Sequence, residues 1–476
     1  MSEVSKTDKT HAPTGQGIEA QARGHEIRKS VPRRALGEWA AREAHDRDPV
    51  EILENQASER VPELVPIRYG RMLASSFAFY RGAAAVMSAD LASAPRTGLT
   101  VQLCGDAHLA NFGGFAAPDR AIVFDINDFD ETLPGPFEWD VKRLVASFAV
   151  AARDRGFPDE VGSDLARSVT RSYRTAVASF AAMGRLDVWY SRLDTDEMER
   201  RWGGAGGADT LTRFHKTLRK ARRKTSTRAF SRYTTVGSDG ALQPLRDPPL
   251  VVPLEDLVEG ERLERAKDVI RSSFDSYQAS LSDDKRHLLS GYRIVGFARK
   301  VVGVGSVGTR CWIMLMVGRD DALDDLVLQI KEAGPSVLEP YVGESTYANH
   351  GRRVVEGQRL TQAASDVLLG WERAVNVDGE RHDFYVRQMW DGKVSADLAA
   401  LDLSGFAVYA EICGWTLARA HARSGSPATI AGYLGSGEAF DEAMAGFAVA
   451  YAEQNEADFR LLQQAAHDGR IVAVPG

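Results

Sequence analysis

The run VQLCGDAHLANFGGFAAPDRAIVFDINDFDE, residues 101–131, sets five Asp, two Asn and one His around two short apolar segments. Val101–Cys104 and Ala121–Phe124 are rich in β-branched residues and read as short buried strands. The polar residues begin where these strands stop, which is where a packed scaffold usually carries a site. Gly105-Asp106-Ala107-His108-Leu109-Ala110-Asn111 has the spacing G-D-x-x-x-x-N, and Asp125 to Glu131 holds four acids in seven residues. Carboxylates this dense repel one another unless water or a divalent cation neutralises them. Hard oxygen donors favour Mg²⁺ or Mn²⁺ over zinc. An acidic surface turn is the plainer reading, and the apolar flanks argue against it.

With 476 residues the chain can form two or three domains. A net charge of −7 argues against a general nucleic-acid binder. Cys104, Cys311 and Cys413 lie far apart without a CxxC pair, which suggests neither a disulfide framework nor a zinc site. The N-terminus has no apolar signal-peptide core and no run of 18 apolar residues occurs, so a cytoplasmic chain with no membrane partner is expected.

Residues 1–30 read as a mobile tail, and 31–60 as an amphipathic, charged surface helix. A long helix is expected from Ser75 to Leu91, with Arg68, Arg71 and Arg81 beside or inside it. Arginine suits bidentate phosphate contacts, though ion-paired structure is its commoner use. Phe137 to Arg153 reads as a buried helix, with Asp140 in its first turn as a structural brace. Helices are expected at 159–185 and as a pair over 254–290, and the basic run 216–224 reads first as a solvated helix face.

From Tyr292 the chain turns β-branched, and Gly303, Gly305 and Gly308 form G-x-G-x-x-G around Ser306. A dinucleotide fold needs a helix after such glycines. Here Thr309 to Val317 is a strand pattern, so the motif reads as a hairpin, the form that covers ATP phosphates in protein kinases. Lys331 ends a third strand, 326–332, as the phosphate-pairing lysine of a kinase does. A helix over Arg352 to Leu369 offers Glu356 as its partner, with Glu339 and Glu344 as rivals. A strand at 384–389 and helices at 406–423 and 439–466 complete the chain.

These parts resemble the protein-kinase and aminoglycoside-phosphotransferase superfamily, in altered order. Reading from Tyr292 gives hairpin, lysine strand, glutamate helix, two strands and a helix ending LARAH, which then leads into Cys104–Asn111 at the front of the chain. A circular permutation accounts for that order, and permutation is tolerated where new termini lie at the surface. The expected fold is therefore α+β: a two-lobed, circularly permuted protein-kinase-like fold with a helix-rich large lobe and a small antiparallel-sheet lobe. Its expected divisions are an extension to residue 60, a large lobe over 61–290, a β-rich lobe over 291–400, and returning helices over 401–476.

The stretches PIRYGRM, FAFYRGAA, CGDAHLANFG, FDINDFDETLPGPFEWDVKRL, VGVGSVGTRC, LQIKEA, VVEGQRL, FYVRQMWDGK and LARAHARSG also resemble the bacterial family called domain of unknown function 2252, over about residues 60–435. That resemblance carries a name and no activity. The kinase resemblance implies that Asp106 is the catalytic carboxylate and that Asn111 and Asp128 are metal ligands, with Asp125 the rival to Asp128 and Asp130 beside them. It implies ATP and Mg²⁺ (or Mn²⁺) held by Gly303, Gly305, Ser306, Gly308, Lys331 and Glu356. His108, Arg68, Arg71 and Arg81 remain as substrate or phosphate contacts. Two departures from the pattern stand out: Asp128-Phe129-Asp130 lacks the glycine of D-F-G, and Cys104 replaces the usual histidine. The partners so implied are a nucleotide and a small-molecule acceptor, with a protein hydroxyl as the alternative acceptor. Nucleotidyl transfer, nucleotide sensing without chemistry and metal-dependent hydrolysis are the competing functions.

Overall fold

The helix Phe137–Asp154 has no solvent face: every side chain from Phe137 to Ala152 is buried. Such a helix belongs inside a helical layer, and its charged residues then need partners. Glu138 accepts from Thr97 N (2.7 Å) and Oγ1 (2.8 Å), and Lys142 lies 4.8 Å over the Phe447 ring. A computed structural model describes residues 15–39, 47–203, 226–238, 240–301, 303, 305, 307–319, 324–376, 378–389 and 394–475. The helices used below are α1 (Phe137–Asp154), α2 (Asp159–Ala181), α3 (Gly260–Ala279), α4 (His350–Thr361), α5 (Leu403–Ser424) and α6 (Ala439–His467). Helices α1, α2, α5 and α6 pack together around one apolar core that includes Leu144, Phe148, Tyr173, Leu417 and Phe440.

Strands β1 (Thr100–Leu103), β2 (Phe112–Ala116), β3 (Ile122–Ile126), β4 (Leu133–Pro136) and β5 (Leu193–Asp194) lie against this body. Next come the hairpin β6 (Thr234–Val236) and β7 (Leu242–Pro244), then β8 (Val251–Pro253), β9 (Arg293–Lys300), β10 (Cys311–Val317), β11 (Asp325–Ala333), β12 (Gly370–Val375), β13 (Arg381–Gln388) and β14 (Val394–Ser395). β1 pairs with β4, and a four-stranded sheet runs β14-β2-β3-β5. The largest sheet is antiparallel in the order β12-β13-β11-β10-β9-β8.

Strand β11 is covered on both faces. Leu326, Leu328 and Ile330 pack with Met314, Met316 and Tyr277 of α3. Val327 packs on the other face with Ile313, Leu315 and Phe230. Strict alternation then puts Gln329 and Lys331 on the Val327 face. The fold is thus mixed α+β, mostly helical, with several antiparallel sheets.

Several boundaries differ from the sequence expectation. Within the expected tail, Gly15–Ser30 is a helix packed on Pro427–Leu434, where Gly24 lets two backbones touch and Arg28 Nε donates to Tyr433 O (2.8 Å). Within 31–60 the described residues form a 3-10 turn, Arg33–Gly37, and a short helix, Pro49–Ala57, capped by Asp48. The helix expected over 75–91 breaks into Ser76–Gly82 and Ala84–Ala92, because Gly82 sits against Met72 and Ala83 is not helical. Helix α4 ends at Thr361 rather than 369, since Gln362 turns extended and docks on β3 through Nε2 to Ile126 O (2.6 Å). Helix α3, read with the large lobe, packs on the six-stranded sheet. The basic run 216–224 lies outside the described residues. Among those residues no helix is long and apolar enough to cross a membrane.

Candidate functional site

The loop after β1 is held before it reaches its functional residues. Asp140, in the first turn of α1, accepts from Cys104 N (2.8 Å) and Gly105 N (3.1 Å). His421 at the end of α5 lies 3.3 Å from the same carboxylate and bonds Tyr173 on its other nitrogen. Gly105 has a positive φ of 86°, and a Cβ there would lie 2.3 Å from Glu131 O, so only glycine fits.

Past that glycine, Asp106 O accepts from His108 N (2.8 Å) and Asn111 Nδ2 (2.8 Å). One of the two asparagine N–H donors is thereby engaged, and its Oδ1 is available to a ligand. The β2–β3 register sets Phe112 against Ile126, so Asn127 N donates to Asn111 O (2.8 Å), and the loop and the acidic segment meet side by side.

The acidic segment turns on buried Phe129, with Thr132 N closing on Phe129 O (3.1 Å). Arg353 of α4 holds it from behind through Thr132 O (2.7 Å) and Asp130 O (2.8 Å). Lys331, 2 % exposed, reaches it from β11, with Nζ 2.6 Å from Asp130 Oδ2 and 3.6 Å from Asp128 Oδ1. Tyr385 Oη donates to the other Asp130 oxygen (2.6 Å). Burial alone would raise the Asp130 carboxyl, but Lys331 and Tyr385 outweigh it and hold it at about 2. The same two aspartates outweigh burial at Lys331 and keep it firmly charged. Asp128 Oδ1 is buried and makes no hydrogen bond among the described residues.

Asp106 pairs with Arg143 Nε (2.8 Å), and His108 Nε2 lies 3.7 Å from its other oxygen. Burial, with Arg81 and Arg143 nearby, lowers His108 to about 3 against the pull of Asp106, so its ring is neutral.

One cleft of about 880 Å³ brings together Asp106, His108, Asn111, Asp128, Asp130 and Lys331. Gly303, Gly305 and Arg81 line it as well, while Ser306 lies outside the described residues. Gly308 does not line it. Its φ of 93° and its carbonyl bond to Val61 N (2.8 Å) make it the base of the glycine loop.

Other expected site residues stand elsewhere. Asp125 is buried, with Oδ1 on Arg419 Nη2 (2.6 Å) and Ile126 N (2.8 Å), and Oδ2 on Ala363 N (2.9 Å), which commits both oxygens inside the protein. Glu356 does not hold Lys331. It faces Arg359 (3.7 Å) and Arg352 (3.9 Å) on its own helix, and Asp130 is the lysine's partner. Glu339 accepts from Ser336 N (3.1 Å) and lies 3.8 Å from His350. Arg68 and Arg71 do not line the cleft.

Gln329 and Arg387, which no sequence motif marks, also line it. Arg387 Nε donates to Gln329 Oε1 (3.0 Å) and Nη1 to Asn127 O (3.2 Å), tying the sheet to the acidic turn. The signal was in the pleat: Lys331 faces Tyr385 and Gln329 faces Arg387 in the β11–β13 register, so all four share one face.

These residues fit a hard cation held jointly with a phosphate ligand. Mg²⁺ commonly takes one or two carboxylates and fills its other positions with phosphate and water. Asp128 Oδ1, buried without a hydrogen bond, and Asn111 Oδ1 are the matching donors. Among the described residues no three His, Cys, Asp or Glu side chains form an all-protein metal centre.

The family model described as "Uncharacterized protein conserved in bacteria (DUF2252)" matches residues 60–465. No curated protein and no solved structure matches the chain.

Proposed function

We propose that this chain, which belongs to the DUF2252 family, is an ATP- and Mg²⁺-dependent phosphotransferase acting on a small-molecule hydroxyl. The observation that carries the reading is the meeting of Lys331 with Asp128 and Asp130 in one cleft, across about 200 residues of chain. Phosphoryl transfer needs such a set: a lysine for the phosphates, oxygen donors for a metal, a glycine loop above and a carboxylate beside the acceptor.

In this reading Asp106 takes the acceptor hydroxyl proton as that oxygen bonds the terminal phosphorus and ADP leaves. Arg143 holds one Asp106 oxygen and so fixes the direction of the other. Lys331 and Arg387 present positive charge from the sheet face, and Gly303 and Gly305 line the same cleft. Mg²⁺, when bound, neutralises charge on the phosphates, and Asp128 with Asn111 would hold it. Asp130 serves as the counter-ion of Lys331.

Permuted kinase topology is the matching fold proposal. Its support is the order glycine hairpin β9–β10, lysine strand β11, helix α4, strands β12 and β13, then α5. The end of α5 lies against β1, where Gln102 N donates to Ser424 Oγ (3.1 Å), so the proposed junction is spatially continuous. Helix α4 departs from the kinase pattern by presenting Arg353 to the acidic turn in place of a glutamate to the lysine.

Isothermal titration tests the reading. Wild type should bind ATP with Mg²⁺ much more tightly than without it, and Asp128→Ala should erase the difference. Equal affinity with and without Mg²⁺ in both proteins would refute the metal assignment. Product mass then separates phosphoryl from nucleotidyl transfer.

A further inference from the structure

Arg68, on the helix Val65–Met72, is completely buried. Its Nη2 donates to Gln56 Oε1 and to Gly82 O (3.2 Å), and its Nε and Nη1 have no hydrogen-bond partner among the described residues. Among the described residues, the charged or ionisable groups that act on it are Arg60 and Tyr69, with no carboxylate among them. A guanidinium does not shed its proton. A buried charge without a counter-ion is strongly destabilising, so its positive potential favours an anion in the adjoining cleft.

The neighbours of Arg68 lead into the cleft. Because Arg68 occupies the Gln56 carbonyl oxygen, the Gln56 amide is left to donate, and Gln56 lines the cleft. Arg68 also binds the Gly82 carbonyl, which puts Gln56 and the Arg81-Gly82 backbone on one wall. Arg81 lines that wall with its Nε lacking a hydrogen-bond partner among the described residues. His108, 3 % exposed, lines it too, with Nδ1 also lacking a partner. One Asp106 oxygen is engaged by Arg143 at 2.8 Å, and the carboxylates that act on Arg81 are those of Asp106 and Asp128. This wall comes from residues 56–82 and 108, whereas Lys331 and Arg387 come from the sheet, and Gly305 lies beside the Arg81 carbonyl.

We infer that Gln56 and Arg81, with His108 beside them and Arg68 behind, form an oxyanion subsite, and that the substrate receiving the phosphoryl group carries a phosphate or carboxylate seated there. The substrate role rests on the phosphotransfer reading, and the subsite itself rests on the donors alone.

The test is isothermal titration of the full chain with inorganic phosphate, alone and with Mg²⁺ and a non-hydrolysable ATP analogue at saturation. Wild type should bind phosphate in both conditions. Arg81→Gln should weaken binding about tenfold or more, the usual scale for a hydrogen bond to a charged group, and Gln56→Glu should abolish it. Gln56→Glu should also raise the thermal midpoint by setting a carboxylate on Arg68, which separates a lost donor from a lost fold. Phosphate affinity unchanged in both variants would overturn the subsite. Displacement of phosphate by the analogue would assign the donors to the nucleotide and overturn the acceptor role. Phosphate binding without any nucleotide binding would overturn phosphotransfer and leave the subsite standing.

Discussion

Asp125 and Asp128 sit three residues apart, one with both oxygens committed inside the protein and the other with one oxygen making no hydrogen bond. Asp125 belongs to strand β3 and joins it to α5 and to the end of α4 through Arg419 and Ala363. Asp128 belongs to the turn beyond the strand and faces a cleft and a lysine. The two differ in what surrounds them. A carboxylate whose acceptor capacity is filled holds a fold together, and one with capacity to spare can take a ligand.

The sharpest way to break this contrast is substitution at both positions. Asp125→Asn leaves Arg419 charged and buried, and should cost about 3–5 kcal/mol of stability. Asp128→Asn should stay within about 1 kcal/mol of wild type, because it also relieves repulsion from Asp130. Urea unfolding of the two variants compares them directly, and equal losses would abolish the distinction.

The Lys331 partnership gives the next largest effect. Lys331→Met leaves Asp128 and Asp130 facing each other without their cation. Adding Asp130→Asn should restore part of the loss, with a coupling of about 1–3 kcal/mol in a double-mutant cycle. Zero coupling would mean that the 2.6 Å contact adds nothing to stability.

Acid sharpens the same point. Asp130 in the fold lies at about 2, below its ordinary 3.8, because Lys331 and Tyr385 outweigh burial. Its contribution is therefore fully present above about pH 4 and is lost as pH falls towards about 2. The stability gap between wild type and Asp130→Asn should narrow as pH drops through that window. A gap that widens on acidification would contradict the pairing.

The smallest effect belongs to Glu356. Its contacts are exposed pairs at 3.7 and 3.9 Å within one helix, so Glu356→Ala should change stability by about 0.5 kcal/mol or less. Nucleotide affinity should not move. A loss of binding there would reinstate Glu356 as the lysine's functional partner.

Local patterns in the sequence reached far into this site. The spacing Gly105-Asp106 to Asn111 and the short strands around it were legible because hairpin register and a glycine turn act over a few residues. The lysine strand was legible from its apolar run. Partner choice was not, because Lys331–Asp130 and Asp125–Arg419 span hundreds of residues and charge alone cannot choose among many acids. The break at Gly82 was hidden for a related reason: an apolar run reads as one helix until Met72, ten residues earlier, packs against the glycine. Arg387 was visible only after β13 had been set beside β11.

The most direct measurement is a thermal-shift titration with ATP, with and without Mg²⁺, on wild type, Lys331→Ala and Asp128→Ala. A ligand that binds only the folded state raises the midpoint by mass action. The account predicts a shift in wild type that needs Mg²⁺ and is lost in both variants. No shift in wild type at millimolar ATP, or an unchanged shift in the two variants, would contradict a nucleotide site built from Lys331 and Asp128.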